Sequence, residues 1–173
     1  MDKRFFGTDG IRGAVGGHTI NPDFFTRLGW ALGRVMSQQG IECVLIGRDT
    51  RASGFELASA LASGVVAAGL QVECSSVAPT PAVAWLVTQH TNMAGAVISA
   101  SHNPYEDNGI KFFAADGFKL PDSVEHRLEQ LLENGELDSR RATGTDVGRA
   151  YRVADAGGRY CVYLKSTFPK NLR

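Results

Sequence analysis

Short apolar strands alternate with amphipathic helices through the first 135 residues, and this alternation limits the possible fold more than any other feature. The apolar run at 43–46 predicts a buried strand, and the regions 22–39 and 54–68 on either side of it repeat apolar residues at helical spacing. Strands that are separated by helices pair in parallel, and their helices cover both faces of the sheet. The sequence therefore predicts an α/β fold, specifically a three-layer α/β/α domain with a mostly parallel mixed sheet.

Helix starts can be located from residues that favour the ends of helices. Asn21 followed by Pro22 predicts an N-cap with proline at the first helical position. Ser53 is predicted to cap the next helix, and Asp122 with Glu125 resembles a capping box for a later one.

The last part of the predicted sheet has a different pattern. Residues 110–113 and 118–120 are apolar and are separated by Ala-Ala-Asp-Gly, which predicts an antiparallel hairpin at one edge of the sheet. Beyond residue 135 the apolar periodicity ends. We therefore expect a domain over 1–138, a charged and glycine-containing linker over 139–158, and the shortened beginning of a second domain over 159–173.

Charge and targeting signals exclude several classes of protein. Lys and Arg together number 18, as do Asp and Glu, so the formal net charge is zero and nothing favours binding to nucleic acid or to an anionic membrane. No apolar run approaches the ~20 residues that cross a bilayer, and the N-terminus lacks the apolar stretch of a secretory signal. The three cysteines have no CxxC spacing, and Cys43 and Cys74 lie in apolar segments, which is typical of reduced buried thiols. We expect a cytoplasmic protein.

One polar loop offers the groups that a phosphate requires. The loop starts at Ser99, where an apolar strand ends, and it presents the Ser101 hydroxyl, the His102 imidazole, the Asn103 amide and, on re-entering the next strand, Lys111. Hydroxyls, amides and a cation on one loop suit phosphate oxygens, which accept charge-assisted hydrogen bonds. The same groups suit a tight connection whose polar atoms satisfy its own turns equally well.

Three motifs in this order resemble those of the α-D-phosphohexomutase family. The run Ser-Ala-Ser-His-Asn-Pro at 99–104, followed by Asp-Asn-Gly-Ile-Lys at 107–111, resembles the family's active-site loop. Gly-Thr-Asp-Gly-Ile-Arg-Gly at 7–13 resembles its N-terminal arginine loop, and 47–54 resembles its strand-to-helix turn. Within the family, the first two motifs are most similar to the bacterial branch that acts on glucosamine phosphates.

This resemblance implies a function for Ser101. It would carry a phosphate that passes to a sugar hydroxyl, giving a bisphosphorylated hexose, and the other phosphate would then return to it. For the similar branch, this reaction interconverts glucosamine 6-phosphate and glucosamine 1-phosphate. The alternatives are a phosphomannomutase or phosphoglucomutase fragment, and a stand-alone α/β binding or regulatory domain in which Ser101 is a switch.

The resemblance also implies roles for the neighbouring residues. Arg12 and Lys111 would be the cations near the phosphoserine, and Lys111 would also exchange a proton with the sugar hydroxyl. Lys111 could instead be an exposed edge-strand lysine, and Arg12 a loop arginine that caps carbonyls. His102 is either a general base or a residue that holds the loop. Ser99, Asn103, Thr8 and Asp9 would bind substrate or phosphate.

A magnesium ion is the cofactor that the resemblance implies, with the phosphate on Ser101 as one ligand. The family's Asp-x-Asp-x-Asp-Arg metal loop does not occur in these 173 residues. We therefore expect the remaining domains of the same polypeptide to supply its other ligands and most sugar contacts, and the chain alone to have no turnover. In the turn at 48–51, an aspartate between two arginines predicts a local ion-pair network that rigidifies the turn.

Overall fold

The computed structural model describes residues 4–135 and 139–169, which form a six-stranded sheet covered by helices. The strands are β1 (Ile11–Ala14), β2 (Cys43–Arg48), β3 (Gln71–Val77), β4 (Met93–Ile98), β5 (Asp107–Phe113) and β6 (Ala150–Arg152). The helices are α1 (Pro22–Ser37), α2 (Gly54–Ala67), α3 (Thr80–Val87), α4 (Asp122–Asn134) and α5 (Ala156–Thr167), with a short 3₁₀ turn at Gly144–Asp146.

The sheet is mixed, with a parallel centre and an antiparallel edge. Its order is β1-β5-β4-β2-β3-β6. The pairs β4–β2, β2–β3 and β3–β6 are parallel, whereas β4–β5 and β5–β1 are antiparallel. This arrangement confirms the predicted mostly parallel mixed sheet.

Helices lie on both faces of the sheet, which gives the predicted three layers. One core contains buried residues of α1, α2 and α4 together with one face of the strands. A smaller core on the opposite face contains α3 and the first residue of α5, Ala156. The larger core includes Trp30, Phe24 and Phe25, which are almost completely buried.

The predicted helix starts are partly correct. The Asn21 side chain accepts a hydrogen bond of 2.8 Å from the Phe24 N–H at the start of α1, as predicted. The capping box at α4 is wrong, because Pro121 is the N-cap residue and makes no side-chain cap. Instead, the buried Glu125 carboxylate lies 3.0 Å from Lys119 Nζ.

The predicted edge hairpin has only one regular arm. Residues 110–113 belong to β5, whereas 118–120 contribute a single bridge, between Lys119 and Phe113. The antiparallel edge is completed by β1 instead, which the sequence analysis did not identify. β1 is four residues long and contains Gly13, so it lacks the apolar alternation on which strand prediction depends.

The region that was predicted to be a linker contains the edge strand β6. The β6 strand pairs with β3, and the N–H of Gly148 donates to the carbonyl of Val66 at 3.0 Å. Helix α5 then packs against α3, where the rings of Trp85 and Tyr163 stack with centroids 4.6 Å apart. The predicted domain boundary at 138 lies outside the described residues, and both it and the boundary at 158 stay predictions.

The helices of the described residues are also informative about membranes. None of them combines the length and apolar character that crossing a bilayer requires.

Candidate active site

The loops that follow β2 and β4 start next to each other at one edge of the sheet. Arg48 and Ile98, the last residues of these strands, are register partners. The N–H of Asp49 then donates to the carbonyl of Ile98 at 3.0 Å. Loops beyond the carboxyl ends of parallel strands are the usual ligand site of such sheets. The two loops therefore begin side by side at this edge.

Ser101 is exposed, but its backbone is held in an unusual conformation. Its φ of 56° lies in the left-handed region, which a non-glycine residue adopts only when its surroundings require it. Its N–H donates to Ser99 Oγ at 3.0 Å, so Ser99 supports the loop from the strand end. The Ser101 Oγ lies 3.4 Å from His102 Nδ1, a long contact in which either atom can donate.

Arg51, from the turn after β2, binds the backbone of the serine loop. Its guanidinium donates to the carbonyls of four loop residues, namely Ser101, Asn103, Pro104 and Asp107. The remaining donor, Nε, contacts Asp49 Oδ2 at 3.1 Å. The predicted ion pair within the turn is thus present, and the same arginine also fixes the neighbouring loop.

Arg12 and Lys111 lie on neighbouring strands and share a carboxylate. Arg12 is the register partner of Gly109, so the side chains of Arg12 and Lys111 lie on the same face of the β1–β5 pair. Both contact Asp9 at 3.5 Å. A Cβ on Gly109 would lie 2.9 Å from Arg12 Cγ, so glycine leaves the space that the arginine stem occupies.

The Arg12 guanidinium is not fully satisfied. Its NH1 donates to Asn103 Oδ1 at 3.0 Å, but its buried Nε has no hydrogen-bond partner among the described residues. Asn103 in turn donates to Asp107 Oδ2 at 2.8 Å. Arg12 is therefore connected to the serine loop, and the protein uses fewer of its donors than of those of Arg51.

Thr8 and Asp9 lie on a tight turn that the structure presses against β5. The N–H of Gly7 donates to the carbonyl of Gly10 at 2.9 Å, and Thr8 and Asp9 are exposed at the tip. Gly10 has a φ of 85°, and a Cβ there would clash with the Ile110 carbonyl. Only glycine fits this position without strain.

Asn108 connects the serine loop to the start of α2, and the sequence analysis did not assign it a role. It is fully buried, and its amide donates to Ser53 Oγ at 2.9 Å. Ser53 was predicted to cap α2, but its side chain makes no cap bond and accepts from Asn108 instead. A polar residue inside the apolar strand pattern was the one signal that could have identified Asn108.

A cleft of ≈ 830 Å³ opens beside the serine loop. It is lined by Ser99, Ser101 and Asn103, together with Arg51 from the facing turn. Arg12 and Lys111 are not among the lining residues, so the structure does not place all the predicted site residues around one cavity. Asn103 joins the two parts, since it lines the cleft and also accepts the Arg12 hydrogen bond.

The residues present do not make a complete magnesium site. Among the residues that the structure describes, no three His, Cys, Asp or Glu side chains cluster as metal ligands would. Of the carboxylates near the loop, Asp49 is paired with Arg51 and Asp107 accepts from Asn103, whereas Glu106 lines the cleft. A hydroxyl without phosphate is a weak magnesium ligand, so the ligand that Ser101 would offer is an oxygen of its phosphate.

Comparison of the sequence with known proteins identifies relatives along its whole length. Residues 3–139 match the family described as phosphoglucomutase/phosphomannomutase, alpha/beta/alpha domain I. The chain is 53% identical over 172 residues to a phosphoglucosamine mutase of Aeromonas hydrophila and 52% identical over 171 residues to one of Haemophilus influenzae. Each alignment covers 99% of this chain but only 38% of the relative, so the chain spans well under half the length of these proteins.

Solved structures show the same fold. A putative phosphomannomutase from Thermus thermophilus superposes with a TM-score of 0.80 at 28% identity, over 97% of this chain and 37% of that one. A Paramecium phosphoglucomutase superposes with a TM-score of 0.73 at 16% identity, over 95% of this chain and 35% of that one, which supports the fold alone. The sequence match over residues 3–139 establishes that the chain belongs to the phosphoglucomutase/phosphomannomutase family and contains its alpha/beta/alpha domain I.

Proposed function

We propose that this chain is the serine-containing part of a phosphoglucosamine mutase, which interconverts glucosamine 6-phosphate and glucosamine 1-phosphate. The observation on which this proposal depends is the exposed hydroxyl of Ser101, held in a fixed left-handed turn at the carboxyl edge of the sheet. The identity of 53% to a phosphoglucosamine mutase supports that substrate over the hexose phosphates of the sibling enzymes.

Ser101 acts as a temporary phosphate carrier. The bond between phosphorus and Ser101 Oγ breaks as a sugar hydroxyl oxygen bonds to phosphorus, and the sugar hydroxyl proton leaves to a base. The resulting hexosamine bisphosphate then returns its other phosphate to Oγ by the same step in reverse. Phosphoryl transfer depends mainly on alignment and on charge neutralisation, which a rigid loop beside cations provides.

The surrounding residues have distinct roles in this proposal. Arg12, a cation bonded to the serine loop through Asn103, neutralises charge on the phosphate. Lys111, or His102 beside the hydroxyl, exchanges the proton. Ser99 and Asn103 hold the loop.

Thr8 and Asp9, at the exposed turn, contact the substrate phosphate region. Asp9 acts indirectly, because its carboxylate contacts the two cations Arg12 and Lys111.

A phosphate on Ser101 supplies one oxygen ligand to magnesium, and the other ligands come from outside the described residues. The remaining domains of the polypeptide are the expected partners for the metal and the sugar. The predicted cytoplasmic location and the predicted inactivity of the 173 residues alone remain proposals. Detectable interconversion of the two glucosamine phosphates by these residues alone would contradict the second.

The test uses the full-length gene product and its Ser101→Ala variant. Peptide mass mapping after incubation with a hexosamine bisphosphate should find phosphate on Ser101, and the variant should lose turnover of glucosamine phosphates. Parallel assays with mannose and glucose phosphates separate the sibling enzymes. Undiminished turnover by the alanine variant would contradict the carrier role, and phosphorylation of Ser101 without turnover of any hexose phosphate would favour a regulatory domain.

A further inference from the structure

We infer that Arg51 is a positioning residue for the phosphate carrier, which acts by holding the backbone of the serine loop and not by touching substrate. This inference rests on the proposed function of Ser101. It concerns a residue of a different turn, 50 positions earlier in the chain than Ser101.

All the hydrogen-bond donors of the guanidinium are used within the protein. A guanidinium has five N–H donors in a rigid planar fork. In Arg51, NH1 donates to the carbonyls of Pro104 and Asp107, and NH2 to those of Ser101 and Asn103. Nε takes the fifth contact, to Asp49 Oδ2 at 3.1 Å.

The turn itself orients Arg51 before it reaches the loop. Asp49 accepts from the Arg51 backbone N–H at 2.9 Å and from its side-chain Nε, so one carboxylate holds both ends of the residue. The side chain is 12% exposed. A charge-assisted pair that is largely shielded from water holds its geometry better than an exposed one.

The consequence for Ser101 is direct, because one of the bound carbonyls is its own. A hydrogen bond of 3.1 Å from Arg51 NH2 fixes the orientation of that carbonyl, while Ser99 Oγ fixes the Ser101 N–H. The peptide groups on both sides of a residue in the left-handed region are then fixed, which sets the direction of its Cα–Cβ bond and therefore the reach of Oγ. In-line transfer requires this direction to be held closely.

These observations distinguish positioning from phosphate binding. Arg51 lines the cleft beside Ser101, so its charge alone would suggest an anion site. With its five donors committed, it has none left for a substrate phosphate. Substitution should therefore lower kcat and leave KM nearly unchanged.

The test is the Arg51→Lys variant of the full-length gene product, assayed with glucosamine phosphates. Lysine keeps the charge but presents three donors from a single point, so it cannot reach four separate carbonyls and Asp49. We expect kcat to fall by roughly 10²-fold, the loss typical of a misplaced reacting group, with KM changed less than about threefold. Amide hydrogen exchange in 101–107 should accelerate, whereas exchange in α1 should not.

Two further variants accompany Arg51→Lys. The first is a control, and the second keeps the test decisive if Arg51→Lys fails to fold. Arg127→Lys is the matched control, because Arg127 is exposed on α4, far from the serine loop in sequence, and donates to Gln130 Oε1 at 3.1 Å. Its kcat should equal that of the wild type. Asp49→Asn removes the orienting charge but leaves the four carbonyl contacts in place, so it should show a smaller loss of kcat in the same direction.

The outcomes separate this inference from the proposed function. Arg51→Lys with more than half of the wild-type kcat, or with a raised KM and unchanged loop exchange, overturns the positioning role. If Ser101→Ala keeps full activity, the carrier role of Ser101 fails. Hydrogen exchange of residues 101–107 in Arg51→Lys then still tests whether Arg51 holds the loop. Recovery of Arg51→Ala activity by added guanidinium ion would support the inference further, and no recovery with intact loop exchange would contradict it.

Discussion

Two arginines approach the serine loop from opposite sides, and they differ in how much of their hydrogen-bonding capacity the protein uses. Arg51, after β2, commits all five donors to loop carbonyls and to Asp49. Arg12, on β1, makes one bond to Asn103 and a longer contact to Asp9, and its buried Nε has no partner in the described part of the chain. A saturated cation stabilises structure, whereas an unsaturated one can still bind an anion. The comparison therefore supports the proposals that Arg51 holds the loop and that Arg12 neutralises the phosphate.

The largest effect should come from removing Arg12. In the full-length gene product, Arg12→Ala should lower kcat/KM for glucosamine phosphates by roughly 10³-fold, as expected for loss of a cation that neutralises a transferring phosphoryl group. The midpoint of urea unfolding should hardly change, because the variant also removes a buried donor that has no partner. A large loss of stability with little loss of activity would reverse the roles of the two arginines.

Gly109 tests whether the position of Arg12 depends on the strand opposite it. A Cβ at Gly109 would lie 2.6 Å from the Ile11 carbonyl oxygen and 2.9 Å from Arg12 Cγ. Gly109→Ala should therefore destabilise the chain by about 1–3 kcal/mol, measured by urea unfolding. The control is Gly157→Ala on α5, where nothing lies within 4 Å of the added Cβ and stability should not fall. Equal stability of both variants would contradict the close packing of β1 on β5.

The sequence predicted this comparison only in part, because it reveals local patterns better than distant contacts. The buried strand at 43–46 and the helix start at Asn21 depend on neighbouring residues, and both are confirmed. The bond from Asn108 to Ser53 joins residues 55 positions apart, and no periodicity predicts it. The strand β1 was missed because its pairing with β5 depends on a partner nearly 100 residues away.

The site residues show the same limit. Motif resemblance proposes Ser101, Arg12 and Lys111 as site residues, but it does not give their arrangement. That Arg12 and Lys111 share Asp9, and lie outside the cleft that Ser101 lines, follows from the register of β1 on β5. The ion pair in the turn at 48–51 was predicted from adjacent charges, whereas its reach to the serine loop depends on β2 lying beside β4.

Glu129 is a carboxylate that, like the Arg51 guanidinium, forms several hydrogen bonds within the protein. This buried carboxylate on α4 accepts from the backbone N–H groups of three N-terminal residues, Arg4, Phe5 and Phe6. Desolvation by burial raises the pKa of Glu129, but these backbone bonds outweigh it, and the net pKa lies below its usual value. The Glu129 carboxylate therefore stabilises the fold, and its protonation should lower the free energy of unfolding.

The sign of this effect follows from the lowered pKa. A depressed folded-state pKa adds stability that is complete above the unfolded value of about 4.3 and is lost as the pH falls through the folded pKa. Glu129→Gln should lower the free energy of unfolding by about 1 kcal/mol at pH 7. It should also make that free energy depend less on pH between roughly pH 5 and pH 3. Glu133→Gln, which removes only an exposed ion pair with Arg4, is the control and should cost less stability at pH 7. A Glu129→Gln slope identical to that of the wild type would contradict the contribution of these bonds.

The smallest effect on stability should come from substitution of Asp9. This substitution compares the ion pair between Asp9 and Arg12 with the one between Asp49 and Arg51. Asp9 is 64% exposed and contacts both Arg12 and Lys111 at 3.5 Å, whereas Asp49 is 29% exposed and contacts Arg51 at 3.1 Å. Exposed ion pairs contribute little because water and salt screen them and two long side chains must be ordered. Asp9→Asn should therefore change the unfolding free energy by less than about 0.5 kcal/mol, and Asp49→Asn by more, in parallel urea titrations at low and high salt. If Asp9→Asn proved the more costly, Arg12 would be held by its carboxylate as firmly as Arg51 is, and it would have no advantage as the phosphate-binding arginine.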